Sequence, residues 1–158
     1  MENEHGLLIK PSKKKFKGKV IVKNEILIHC KQVLTEKVHS FKDKLNELVS
    51  DAENDSKSSA GDKHETARAM MQLEQEKLIS QFNEADRQLE ILSSINPDEE
   101  VKFVRTGALV ETNKGTIFLS IPLGRIKVKN ADIMVISAIA PLAKAMMNAK
   151  KKETVSFN

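Results

Sequence analysis

Two long segments of the chain carry apolar residues at the alternating three- and four-residue steps that are typical of a coiled coil. We predict that the first helix opens with Asn24 as its N-cap, because an asparagine side chain can accept a hydrogen bond from a free amide of the first turn. Its apolar positions are Leu27, Cys30, Leu34, Val38, Phe41, Leu45, Leu48 and Ala52. The apolar positions of the second helix are Ala67, Met71, Leu78, Phe82, Ala85, Leu89 and Leu92.

The stretch between these segments, residues 51–61, is polar and has no helical period, which is typical of a connection. The second helix should end before Pro97, because proline lacks the amide hydrogen that a helix interior requires. Two long helices joined by a short connection lie antiparallel. Residues 24–96 are therefore predicted to form an antiparallel coiled-coil hairpin with its tip near residues 55–65.

Beyond Pro97 the pattern becomes that of short β-strands. Residues 108–112 and 116–121 flank Asn113-Lys114-Gly115 and are predicted to pair as a β-hairpin. The further predicted elements are a strand at 132–137, a short helix that opens at Pro141 and a final strand at 154–157. The predicted fold class is α+β: a long antiparallel helical hairpin followed, over residues 97–158, by a small antiparallel β-sheet domain with one short helix.

The positive charge of the chain is concentrated at its amino terminus. Seven lysines against two glutamates give residues 1–23 a formal charge of +5, whereas the whole chain carries +4, so the remaining residues sum to −1. We interpret residues 1–23 as a basic flexible leader. Such a leader either stays solvated or contacts nucleic acid or an acidic protein surface, and the sequence leaves both readings open.

Composition narrows the classes of function. Aromatic residues make up 4% of the chain, without Trp or Tyr, which argues against a surface of exposed rings for stacking bases. Cys30 is the sole cysteine, there is no secretory pattern at the start, and no apolar run approaches the roughly 20 residues of a membrane span. We expect a cytoplasmic protein without membrane contact. The sequence has no glycine-rich phosphate loop or paired Ser and His, so catalysis by the chain alone is not expected.

Two segments resemble the bacterial Gre transcript-cleavage factors of RNA polymerase. Residues 61–67, Gly-Asp-Lys-His-Glu-Thr-Ala, are similar to the tip signature of that family, which is Gly-Asp, two variable residues, then Glu-Asn-Ala. Residues 136–147 resemble the family's strand followed by Ser-Pro-Ile-Gly/Ala-x-Ala-Leu, and residues 152–155 resemble its Gly-Asp-x-Val strand entry. The resemblance covers residues 24–158 by predicted architecture, but only these segments by motif.

The resemblance implies a polymerase-binding factor that is not itself an enzyme. Its helical hairpin would enter the secondary channel of the bacterial polymerase, and its sheet domain, FKBP-like in fold, would grip the channel rim through residues such as Pro141, Leu142 and Lys144. Asp62 and Glu65 would help to hold the second catalytic Mg²⁺, shared with the polymerase, which then hydrolyses the end of a backtracked transcript. The chain would need no cofactor of its own, and its contact with nascent RNA would be indirect.

Other interpretations of the same residues remain open. Asp62 as N-cap, with Glu65 reaching back to its amide, would form a capping box without any metal. Residues 66–69 are Thr-Ala-Arg-Ala where the family has Asn-Ala-Glu-Tyr, and the chain stops about where the family adds another strand, so we expect either a smaller sheet or a truncated domain. Two alternative functions follow: a Gre-like regulator that docks without stimulating cleavage, and a plain coiled-coil interaction protein.

Overall fold

The computed structural model describes residues 6–10, 23–55 and 61–157. These residues form two long helices, a six-stranded sheet and a short helix, which confirms the predicted α+β class. In chain order the elements are β1 Gly6–Lys10, α1 Lys23–Asp55, α2 Asp62–Ser94, β2 Leu109–Thr112, β3 Gly115–Ser120, β4 Gly124–Val128, β5 Ala131–Ser137, α3 Pro141–Met146 and β6 Thr154–Ser156.

The chain divides into two compact units. Residues 32–90 form the helical unit, and the rest of the described chain forms the sheet unit. None of the helices in the described part of the chain is long and apolar enough to cross a membrane.

The predicted apolar repeat is the packed seam of the helical unit. Leu34 of α1 and Leu78 and Ala85 of α2 are buried. The half-buried seam residues are Val38, Phe41, Leu45, Leu48, Met71, Phe82 and Leu89. Ala52 and Ala67, the predicted seam positions nearest the connection, are exposed. The two helices therefore pack as predicted, and burial declines toward the connection between them.

The helix boundaries differ from the predicted ones at two points. Helix α1 begins at Lys23, so Asn24 lies inside its first turn and not at the N-cap. The same helix continues to Asp55, although residues 51–55 were predicted as part of the connection. Once a helix has formed, each added residue contributes one more hydrogen bond, and alanine and glutamate at 52 and 53 favour this extension. Helix α2 ends at Ser94, before the proline, as predicted.

The sheet has the strand order β4-β5-β3-β2-β1-β6 and is mixed. The predicted hairpin is confirmed as β2 and β3, with Thr112 opposite Gly115. The prediction of an entirely antiparallel sheet is wrong at one place, because β3 and β5 are parallel. Strand β4, which was not predicted, explains this arrangement: it follows β3 in the chain, pairs antiparallel with β5 at the sheet edge, and so lets β5 insert beside β3 in parallel.

Strand β1 corrects the predicted leader. It lies between β2 and β6, with Ile9 opposite Thr112 and Leu7 opposite Val155. Leu7 and Ile9 are buried, whereas Leu8 between them is partly exposed, the alternation of a strand with one face on the core. Residues 6–10 thus belong to the sheet as one of its six strands. Residues 11–22, the remainder of the predicted leader, lie outside the described part of the chain.

Both faces of the sheet are buried within the sheet unit. On one face, strand residues pack with Ala143 and Met146 of α3 in a single apolar cluster. The strand residues of this cluster are Leu7, Ile9, Val110, Ile117 and Leu119. The alternate positions of β3 and β5, Phe118, Ile133 and Val135, are also buried.

The first turns of α1 belong to the sheet unit and are held to it by polar contacts. Lys129, in the turn between β4 and β5, forms an ion pair with Glu25. The Lys23 ammonium donates a hydrogen bond to the carbonyl oxygen of Glu99 over 3.1 Å. Ile26, Leu27 and Cys30 are buried there.

Candidate functional site

The predicted acidic pair lies at the start of α2, where Gly61 caps the helix. The carbonyl oxygen of Gly61 accepts hydrogen bonds from the amides of His64, at 2.9 Å, and Glu65, at 3.4 Å. Gly61 therefore occupies the N-cap position, which glycine tolerates well. Asp62 is the first helical residue, so the capping-box interpretation, with Asp62 as N-cap, is wrong.

The carboxylates of Asp62 and Glu65 are both exposed to solvent. Neither carboxylate takes part in a hydrogen bond or an ion pair with a described residue. In this turn the Thr66 hydroxyl donates a hydrogen bond to the backbone carbonyl oxygen of Asp62 over 3.2 Å. Residues three apart lie on the same side of a helix. The helix dipole favours negative charge in this first turn. The turn thus presents two unengaged carboxylates on one side.

The charges around this pair are mixed. Lys63 and Arg68 are exposed, and His64 is half-buried. Within the described part of the chain, no group of three or more His, Cys, Asp or Glu side chains could hold a metal ion. Mg²⁺ prefers six oxygen ligands and keeps several waters. Asp62 and Glu65 by themselves supply fewer oxygen ligands than Mg²⁺ prefers.

The predicted polymerase-binding residues share the short helix α3. Pro141 is at its first turn, where the missing amide hydrogen costs nothing, and it is exposed. Lys144 is exposed as well, while Leu142 is half-buried against the core cluster. The structure brings the three together in one turn, with Pro141 and Lys144 available on the surface.

A groove that sequence reasoning missed runs beside this helix. A cavity of about 340 Å³ lies on the side of the sheet that faces α3, within the range of small-ligand or peptide pockets. Its apolar lining includes Leu7, Ile117, Met134, Leu142 and Phe157, and its charged lining consists of Lys114, Arg125 and Asp132. The strand register places three of these lining residues side by side across the sheet, because Arg125 lies opposite Met134 and Met134 lies opposite Ile117. The groove could not be predicted, since two of its strands, β1 and β4, were not.

Cys30 does not provide nucleophilic chemistry. Its side chain is fully buried, and this burial raises the pKa of the thiol from an ordinary value of 9.0 to about 11. The thiolate is the reactive form of cysteine. The thiol therefore stays protonated near neutral pH and acts as a small apolar residue of the core.

Comparisons of the chain with protein-family models, with curated protein sequences and with solved structures found no match.

Proposed function

We propose that this chain is an RNA polymerase-binding factor of the Gre type, which places Asp62 and Glu65 next to the catalytic Mg²⁺ of a bacterial polymerase and so promotes cleavage of backtracked RNA. The observation that carries the proposal is the pair of exposed, unengaged carboxylates in the first turn of α2, within a sequence that resembles the Gre tip. The chain acts as an accessory factor in the cytoplasm, and the nuclease activity belongs to the polymerase.

The helical unit has dimensions that suit insertion into a channel. At 1.5 Å per residue, the α2 portion of this unit, residues 62–90, is about 43 Å long, and two packed helices are about 20 Å wide. Its seam is apolar and most of its outer positions are polar, although Val49, Met70, Leu73 and Ile79 are exposed. The acidic turn is at the end where the two helices are connected.

The two carboxylates have a defined task in this proposal. When bound, Mg²⁺ lowers the pKa of a coordinated water and polarises the phosphoryl oxygens. Asp62 and Glu65 would supply oxygen ligands or accept hydrogen bonds from that water, and the helix dipole would reduce the repulsion between two negative charges held close together. Pro141, Leu142 and Lys144 of α3 are the residues that we propose to contact the rim of the polymerase channel.

The test is transcript cleavage in purified, stalled and backtracked complexes with a 5′-labelled RNA. The double variant Asp62→Asn with Glu65→Gln keeps the size of both side chains and should abolish stimulated cleavage. The matched control is Asp86→Asn with Glu90→Gln, two exposed acidic residues farther along α2, which removes the same charge and should leave cleavage unchanged. If the wild-type chain shortens no transcript, cleavage stimulation is refuted.

A second candidate function, docking without cleavage, is favoured by Arg68. This exposed cation stands three residues after Glu65, on the side of α2 where the metal would be bound. A positive charge there opposes binding of Mg²⁺. In this form of the proposal the chain binds the polymerase and changes initiation or pausing without producing new RNA ends. If purified polymerase does not bind the chain at all, both forms fail and an interaction protein with another partner is indicated.

A further inference from the structure

A second charged surface lies in the sheet unit, where the segment before β2 meets the segment after α3. Phe103 and Lys150 form an isolated antiparallel bridge. Next to it, the Val104 amide donates to the Ala149 carbonyl and the Asn148 amide to the Val104 carbonyl, both over 2.9 Å. We use the name basic face for the exposed side chains around this bridge, Lys102, Phe103, Lys150, Lys151 and Lys152.

The ring of Phe103 points outward because its neighbours point inward. Val104 and Ala149 are buried in the core, at 4% and 8% exposure, whereas Phe103 is 44% exposed. Directly opposed residues of an antiparallel pair project on the same side. The ring of Phe103 and the ammonium-bearing chain of Lys150 are therefore neighbours on one surface. An aromatic side chain that is 44% exposed thus lies among cations.

The lysines of the basic face keep their positive charge available. None of the four forms an ion pair with a described residue. Glu153, which follows Lys152 in the chain, uses its carboxylate to accept a hydrogen bond from the Lys150 amide over 2.9 Å. The turn is fixed further by the Lys152 amide, which donates to the Ile9 carbonyl of β1 over 2.8 Å. Lys150, Lys151 and Lys152 thus stand on a turn that is hydrogen-bonded to β1.

We propose that the basic face binds single-stranded nucleic acid, with phosphates on the lysines and one base stacked on the ring of Phe103. A cationic surface that carries an exposed ring is the usual means by which proteins hold single strands. The bases of a duplex are already stacked and cannot reach the ring. The adjoining cleft, lined by Val101, Lys102, Phe103 and Lys151, holds about 40 Å³, which is too small for a base, so the base lies on the outer face of the ring. This inference does not depend on polymerase binding.

The test measures binding of fluorescein-labelled oligonucleotides by anisotropy, with a 12-residue oligo-U, a 12-residue oligo-dT and a duplex of the same length. Phe103→Leu, which keeps an apolar side chain, should weaken binding of both single strands at least about fivefold, the smallest effect expected for the loss of one stacked base. Binding of the duplex should not change. Phe103→Tyr keeps the ring and should bind single strands as the wild type does, which separates stacking from an effect on folding.

The contribution of the lysines is tested by the dependence of oligonucleotide binding on salt concentration. Lys102→Gln, Lys150→Gln and Lys151→Gln together should weaken binding of every probe and reduce the slope of log K against log salt by about 2, since each phosphate contact contributes about 0.7 for single strands. The matched control replaces three exposed lysines of α1, Lys37, Lys42 and Lys44, by glutamine and should change the slope less.

The measurements are repeated in a full-length chain with glutamine at the lysines of the amino-terminal segment, Lys13, Lys14, Lys15, Lys17 and Lys19, so that these do not mask the basic face. The proposal is overturned if single strands bind Phe103→Leu as tightly as wild type. It is also overturned if the triple lysine variant matches its control, or if the leader substitutions alone abolish binding.

Discussion

Replacing Ile9 by alanine tests whether β1 is part of the fold. Ile9 is 3% exposed and packs in the apolar cluster under α3. Burial of an isoleucine side chain contributes about 1.5–3 kcal/mol, and the cavity left by truncation adds to the loss, so that isoleucine-to-alanine changes cost about 2–5 kcal/mol in protein cores. For a chain of this size, that corresponds to a decrease in Tm of about 4–20 °C, at about 2–4 °C per kcal/mol. Leu8→Ala is the matched control, because Leu8 is 38% exposed and its replacement should cost less, about 1–2 kcal/mol.

The assay is hydrogen exchange followed by mass spectrometry, because helical signals dominate far-ultraviolet circular dichroism in a chain with two 33-residue helices. Strand β1 is hydrogen-bonded to β2 and β6. Ile9→Ala should therefore speed exchange in residues 109–112 and 154–156, while the seam of the helical unit, residues 71–85, keeps its protection. If Ile9→Ala and Leu8→Ala speed this exchange equally, the reasoning is refuted, and residues 6–10 are better described as part of the leader.

Three further predictions concern single residues. Gly107→Ala should destabilise the chain by more than about 1 kcal/mol in urea unfolding, because Gly107 has a φ of +84° and a Cβ atom there would lie 3.1 Å from Cγ2 of Ile95. The free energy of unfolding of the wild type should fall between pH 9 and pH 11, by no more than about 3 kcal/mol. Burial raises the pKa of the Cys30 thiol in the folded chain, so its contribution to stability is complete below the ordinary pKa of 9.0 and is lost as the pH rises through about 11. Cys30→Ala should remove this part of the pH dependence in parallel titrations. Asp62→Ala should cost less than about 1 kcal/mol, and 1 M NaCl should suppress this cost, because a helix-dipole interaction is screened by salt and a capping hydrogen bond is not.

The sequence predicts the elements whose signal is local. The seam of the helical unit depends on apolar residues three and four positions apart, and the β2–β3 hairpin on a turn at Asn113-Lys114-Gly115, so both were predicted correctly. Strand β1 was missed because it is only five residues long and precedes a run of lysines, and because its contacts are distant: the Leu8 amide donates to the Asn113 side chain 105 residues away.

The two candidate sites also differ in how far a local sequence signal predicts them. The motif located Asp62 and Glu65, but the sequence did not show that Gly61 holds the cap position, since an aspartate or a glycine is acceptable there. The sequence contains the run of lysines at 150–152, but it does not show that Phe103 lies beside them. Phe103 and Lys150 are distant in the chain and become neighbours only through one bridge of the folded sheet unit. The low aromatic content argued against stacking surfaces, yet one exposed ring is enough to hold one base.

The position of Gly61 also decides how the cleavage experiment is interpreted. A carboxylate that capped α2 would stabilise the helix by about 1 kcal/mol, and its replacement would confuse loss of structure with loss of function. Because Gly61 holds the N-cap position and the Asp62 carboxylate accepts no hydrogen bond from a described residue, the side chain of Asp62 does not perform this task. Asp62→Asn with Glu65→Gln therefore removes charge at the surface while the cap and the seam of the helical unit stay intact. A loss of stimulated cleavage in that variant, without a change in polymerase binding, would then report on the two negative charges themselves.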